Sequence, residues 1–228
     1  MSSEGNVMSE ISLQEDIKIV NSFSVVPLIL EAICKTTGMG FACVARVTDE
    51  RWIACSVLDE VKFGLSQGGE LKLDTTICHE IRQSGNGVII DHVSEDEVYH
   101  NHHTPAMYGL QSYISVPVKR HRDGFFGTLC AIDASPALLN APEIIIMFRA
   151  YAALISFYLT AVEEYPADKI AQLQERAVAA LNDYLSTIAD MPAQTVATRI
   201  NPREAQLKKA INDSVEKVNA IVEQLSVI

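Results

Sequence analysis

All six histidines lie between positions 79 and 121, and three of them, His100, His102 and His103, share one short stretch beside Tyr99 and the acids Glu95, Asp96 and Glu97. Imidazoles at that density suit zinc, iron or haem ligation, or a charge change near neutral pH. The H-x-H-H spacing lacks the two separated ligand pairs of a structural zinc site, so pocket lining, proton sensing and plain loop hydrogen bonding stand beside metal binding. His79 and His92 carry the same choices. The second reactive set is five cysteines. Cys78 falls in the first turn of an expected helix, where the dipole lowers a thiol pKa. The opposite reading is a small buried apolar group. Cys43, Cys55 and Cys130 fall in strand-like runs, and redox chemistry would need two thiols within disulfide reach. Trp52, Tyr99, Tyr108 and Tyr113, with Asp91 and Ser115, are the aromatic and polar groups placed to line a pocket, and alternation puts Tyr113 and Ser115 on one sheet face. No nucleophile elbow, phosphate loop or carboxylate pair stands out, so hydrolysis and phosphoryl transfer have no support.

These side chains need elements to hold them. Residues 112–133, SYISVPVKRHRDGFFGTLCAID, place two apolar runs around a polar loop ending in Asp123-Gly124, a hairpin signal that predicts the central pair of an antiparallel sheet. Gly127 within the second run leaves room for another backbone or a ligand, and Pro117 must avoid a ladder hydrogen bond. Residues 41–47 and 52–59 predict a second hairpin. With a two-residue loop, Cys55 opposes Val44 and Cys43 points to the other face, which disfavours a disulfide between them. Residues 61–69 read as a loop with three glycines, followed by a short strand at Leu71-Lys72-Leu73. Asp74 is the expected N-cap of a helix over 75–84, and residues 88–90 a short buried strand. Residues 91–108 read as irregular, and long irregular segments inside a compact domain are usually functional.

Asn140 is expected to cap a long helix that opens with Ala141-Pro142-Glu143 and is apolar nearly all round over 144–162, so that sheet and helix must both cover it. Beyond Pro166, Ile170, Leu173, Ala177, Leu181, Leu185 and Ile188 form one stripe. A last helix with Asn201 as cap and Pro202 in its first turn carries Leu207, Ile211, Val218, Ile221, Leu225 and Ile228 near heptad spacing. Two such helices folded on each other leave apolar surface over. A homodimer through a four-helix bundle would cover it, as would packing of the hairpin on its own sheet domain.

The totals agree with an intracellular globular protein. No run approaches the roughly 20 uninterrupted apolar residues of a membrane span, the N-terminus is polar and acidic, and an odd cysteine count fits reduced thiols, so the chain is expected in the cytoplasm with no membrane partner. Nearly all of the net charge of −11 sits in the first 165 residues. An acidic domain without a basic stripe excludes direct nucleic-acid binding. Residues 13–20 have weak helical periodicity, and 26–36 predict a clearer helix that ends at Gly38. Helix, hairpin, short helix, irregular connection, hairpin and long helix together give an α+β domain over residues 13–165, preceded by a flexible segment 1–12 and followed by a helical hairpin over 166–228.

Four blocks now carry a resemblance: TTICHEIRQSG (75–85), VIIDHVSED (88–96), HHTPAMYGLQSYISVPV (102–118) and DGFFGTLCAID (123–133). They resemble the GAF sensor domains found upstream of the kinase core in bacterial sensor histidine kinases, in the correct order and over roughly residues 13–165. The resemblance implies a five- or six-stranded antiparallel sheet, terminal helices on one face, a small-molecule pocket on the other and a final helix that passes the signal outward through a dimer. Two departures stand out. No histidine follows His121, so the helical pair has no phosphoacceptor, and no glycine-rich ATP lid is present. Residues 100–109 hold no cysteine, so the covalent bilin attachment of phytochrome-like members is absent there.

The expected protein is therefore a non-enzymatic cytoplasmic sensor of a small molecule, pH or redox state, acting on a separate signalling protein through a dimeric helical tail. Its expected ligand-binding residues are Trp52, Cys78, His79, Asp91, Tyr99, His102, His103, Tyr108, Tyr113 and Ser115, with no metal set and no cofactor identified. Two alternatives remain, a thiol enzyme of the free methionine sulfoxide reductase branch and a ligand-free dimerisation scaffold.

Overall fold

A computed structural model describes residues 3–121, 124–193 and 203–223. Helix α1 (Ser3–Ser22) turns into α2 (Val25–Thr37), which stops at Gly38. Strands β1 (Phe41–Val47), β2 (Trp52–Asp59) and β3 (Glu70–Leu71) follow, then α3 (Ile77–Ser84), β4 (Val88–Ile90), the short α4 (His103–Tyr108), and the hairpin β5 (Ser112–Arg120) and β6 (Gly124–Asp133). Among the described residues three long helices follow: α5 (Pro142–Glu164), α6 (Ala167–Ile188) and α7 (Glu204–Glu223). The six strands make one antiparallel sheet in the order β3-β2-β1-β6-β5-β4. The β5–β6 hairpin forms as read, but the central pair is β1–β6, because β6 takes β1 on its free side.

Both sheet faces are covered, and this is why the inner strands read as nearly continuous apolar runs. Along β1, Phe41, Cys43, Ala45 and Val47 enter one core while Ala42 and Val44 enter the other. The larger core lies between the sheet and α1, α2 and α5, and α6 and α7 form an outer layer on α2 and α5. The smaller core lies on the opposite face beneath α3. Cys55 is the extra residue of a bulge in the β1–β2 ladder: Val44 pairs with Ser56 and Ala45 with Ala54. The opposite facing of Cys43 and Cys55 stands, through a bulge that a uniform register did not contain.

Several local expectations shift. Helix α1 starts at Ser3, ahead of the periodic stretch from Leu13. Asp74 lies in a 3-10 turn, Leu73–Thr75, and α3 begins only at Ile77, with Thr76 in the cap position. Asn140 does not cap α5. Ala141 takes that position, with Pro142 in the first turn, and the Asn140 N–H is committed to Asp91. The stretch 91–108 is more regular than it reads, holding a 3-10 turn at Val93–Glu95 and α4. Asn201, Pro202, Leu225 and Ile228 lie outside the described residues.

Helix α5 is long and apolar enough to cross a membrane, yet most of that length is buried inside the fold. Ile170, Leu173, Ala177, Leu181, Leu185 and Ile188 on α6, and Leu207, Ile211, Val218 and Ile221 on α7, are all buried within the single chain. Packing on α2 and α5 thus meets the apolar demand that predicted a second copy. Polar contacts punctuate this interface: Thr36 and Tyr184 hydroxyls lie 2.7 Å apart, Tyr151 and Ser214 hydroxyls 3.3 Å, and Ser24 N–H donates to Gln174 Oε1 at 2.9 Å.

Candidate functional site

The face of the sheet turned away from the terminal helices encloses a hollow. Strand alternation brings Phe41, Trp52, Tyr113, Cys130 and Ile132 to it, α3 contributes Cys78, and α4 contributes Thr104 and Tyr108. Phe63 and Leu65 close it from the β2–β3 loop. Its free volume is about 40 Å³ and its accessible lining is apolar. That space holds a water or two and no metabolite, since ligand pockets run roughly 300–1,000 Å³.

Four of the expected residues meet here: Trp52, Cys78, Tyr108 and Tyr113. Ser115 is fully buried one alternation along β5 from Tyr113. The Tyr113 hydroxyl lies 3.3 Å from Cys78 Sγ, and the Thr128 hydroxyl donates to the same sulfur at 3.3 Å. Behind them, Cys130 Sγ donates to the Cys43 carbonyl at 3.6 Å. Tyr108 Oη is 2.7 Å from Thr75 Oγ1. Trp52 is 2 % exposed, and among the described residues its indole Nε1–H has no partner.

The dipole of α3 does not activate Cys78. Contact with the Cys130 thiol, and then burial, holds its proton well above the ordinary thiol range. Contact with Cys43 acts likewise on Cys130, and desolvation pushes Cys55 and Cys34 up to about 12. All five cysteines are buried and free. At pH 8 the native protein is therefore expected to react with fewer than one equivalent of a thiol-directed disulfide reagent, and with all five after unfolding. Rapid native labelling of one thiol would contradict this burial.

The remaining expected residues stand outside the hollow. His102 accepts from Thr104 N–H through Nδ1 at 3.2 Å, capping α4, and its Nε2 meets Glu80 Oε1 at 2.8 Å, which fixes the tautomer with the proton on Nε2. Tyr99 donates to the other oxygen of Glu80 at 3.3 Å, and its own proton is held up to about 12, chiefly by burial. His103 stacks on His102 and bonds the Asp74 carbonyl. His79 is half-buried on α3, with Nε2 against Gln83 and Nδ1 buried without a partner among the described residues. Asp91 is a structural pin: one carboxylate oxygen accepts from Leu139 N–H at 2.9 Å and Asn140 N–H at 2.7 Å, fixing the approach to α5. Thus the histidine-rich stretch braces α3 and α4 above the hollow and does not line it. Among the described residues no group of three or more His, Cys, Asp or Glu is placed to hold a metal.

Sequence reading missed Phe41, Cys130, Ile132, Phe63 and Leu65 as wall residues. For the strand positions the signal was there, since each alternates with a residue of the larger core. For Phe63 and Leu65 it was weaker: two apolar side chains spaced by two within a glycine-rich loop.

No curated protein matches the chain. Among solved structures, the cyanobacteriochrome receptor PixJ aligns at 14% identity and a TM-score of 0.50, over 66% of this chain and 98% of that one. The GAF domain of a two-component sensor histidine kinase from Bacillus halodurans aligns at 9% identity and 0.48, over 62% and 95%. The type II free methionine-R-sulfoxide reductase from Thermoplasma acidophilum aligns at 16% and 0.40, over 53% and 79%. At such identities the likeness is one of fold. A family model for the GAF domain matches residues 24–159. As that match takes in more than half of the sequence, the chain belongs to the GAF domain family.

Proposed function

We propose that the protein is a non-enzymatic GAF sensor, in which a small molecule entering the sheet-face hollow alters the docking of the α6–α7 hairpin, and a separate signalling protein in the cytoplasm reads that change. The observation that carries this reading is the sharing of strands. Tyr113 and Cys130 in the hollow adjoin Ile114 and Leu129, which pack under the helical layer, so a displaced strand is felt on both sides within one peptide unit. A close-packed core passes such shifts on, because it has no slack to absorb them. The polar contacts at Thr36–Tyr184 and Tyr151–Ser214 make the hairpin interface a place where docking can loosen. Released hairpins would expose the α6 and α7 stripes, and a second copy of the chain then covers them as a homodimer.

The same geometry argues against sulfoxide reduction. Free methionine sulfoxide is a zwitterion, and the hollow has an apolar lining and thiols held in their neutral form. The test is calorimetric titration of the full chain against a metabolite panel, with amide exchange of α6 and α7 followed for each binder. A binder is expected to saturate one site per chain and to speed exchange in both helices. Saturable binding that leaves both helices unchanged would sink the coupling.

A further inference from the structure

The hollow is small because the chain fills it. Phe63 enters from the β2–β3 loop and rests on Phe41, ring centroids 5.1 Å apart, and on Tyr108 at 5.8 Å. The loop that delivers it has little else to hold it. Residues 60–69 are exposed or half-buried throughout, and Val61 is 49 % exposed. Its backbone bonds lie near its ends, Glu60 N–H to Gly40 and the exchange of Gly68 and Gly69 with Ala54. Between them the Asp59 carboxylate clasps the plug, one oxygen accepting from Phe63 N–H and the other from Gly64 N–H, each at 2.9 Å. Lys62 and Gly64, on either side of Phe63, have φ of 59° and 90°. The lysine is therefore in a left-handed conformation that its side chain disfavours, and the turn that aims Phe63 inward is held against local preference.

The wall also states what it lacks. Thr76, Thr104, Tyr108, Tyr113 and the thiols of Cys78 and Cys130 all have hydrogen-bond partners within the protein. Among the described residues that line the hollow, Trp52 alone keeps a buried polar side-chain atom without a partner, its Nε1–H. A buried donor without an acceptor is a standing cost that a bound acceptor removes.

We propose that Phe63, clasped by Asp59, is an internal stand-in for the ligand, and that the ligand is an uncharged, flat aromatic molecule carrying one hydrogen-bond acceptor. It takes the place of Phe63 against Phe41 and Tyr108, where offset or tilted rings pack well, and accepts from Trp52 Nε1–H. An apolar wall in a chain of net charge −11 offers no counter-charge to an anion, and a cation held over the aromatic rings would leave the Trp52 N–H without an acceptor. This inference rests on the hollow being the sensing site.

The experiment uses the full chain and acetophenone as probe, with fluorescence of Trp52, the only tryptophan, as the readout. Phe63→Ala is expected to bind acetophenone at least tenfold more tightly than the wild type, because the binding-competent state no longer competes with the plug. Asp59→Asn, which keeps the ring and weakens the clasp, is expected to fall between them. In Phe63→Ala, acetophenone should bind at least fivefold more tightly than ethylbenzene measured by competition. Equal affinity of wild type and both variants would overturn the plug, and equal affinity for the two probes would overturn the role of the indole. Should circular dichroism show Phe63→Ala unfolded, Asp59→Asn decides alone: tighter binding supports the plug and unchanged binding overturns it. Amide exchange separates this from the sensor reading. Tight acetophenone binding with α6 and α7 unchanged removes the sensor and leaves the plug, whereas helices that answer to a metabolite while the variants bind acetophenone like the wild type do the reverse.

Discussion

Asp16→Ala is expected to lower the unfolding free energy by about 3 kcal/mol, the lower end of the roughly 3–5 kcal/mol lost when one member of a buried ion pair is removed. Asp16, on α1, is 3 % exposed and receives Arg46 Nε at 2.8 Å and Arg120 at 2.6 Å. One carboxylate thereby fastens the first helix to β1 and β5. Arg120 continues to Glu163 on α5 at 2.7 Å, so the N-terminal helix, two strands and the longest helix meet in one charged knot. Without the carboxylate two guanidinium groups face each other across a partly desolvated gap. Their side chains keep 22 and 26 % exposure, which lets water reach them and moderates the loss. Asp16→Asn, which preserves one acceptor, should lose less. Urea unfolding by circular dichroism measures both, and a loss below about 1 kcal/mol for the alanine variant would mean a solvated surface pair.

The second large effect is expected at Gly127. A Cβ placed there would lie 1.8 Å from the Ala45 carbonyl oxygen and 2.9 Å from its carbon, both backbone atoms of the adjoining central strand. Overpacking costs typically about 1–3 kcal/mol where side chains can shift. Here nothing flexible can move, and β1 and β6 must separate in the middle of the sheet, so Gly127→Ala is expected to lose at least about 3 kcal/mol. For a chain of this size that is a fall of roughly 6–12 °C in Tm, read by thermal unfolding. A fall under about 2 °C would mean that the two strands are not in contact at this point.

These two residues also measure how far the sequence could be read. Gly127 was legible as a place where something approaches closely, since a glycine inside an apolar strand has few other uses. What approaches is the backbone of β1 and not a ligand, a distinction that depends on strand order, which local pattern does not encode. Asp16 was illegible: it stands in a weakly periodic helix, and its partners are 30 and 104 residues away. The layers, both hairpins and the three long helices were open to reading because burial stamps a period on them. The candidate site divides along the same line. Trp52, Cys78, Tyr108 and Tyr113 sit on elements with a clear period and reach the hollow together. The histidines drew attention by chemistry alone, and His102 and His103 spend their nitrogens on Glu80 and backbone groups instead. Asn140 and Asp74 likewise fit capping rules, but Asp91 claimed the N–H of the first and a 3-10 turn took in the second.

The outermost strands have a further consequence. β3 is two residues long and β4 three, and beyond β4 the rim of β5 carries Pro117, which has no N–H to offer. The sheet therefore presents almost no template on which a foreign or sister strand can be laid down. Fibrous, border-to-border growth is thereby disfavoured at the two outermost strands.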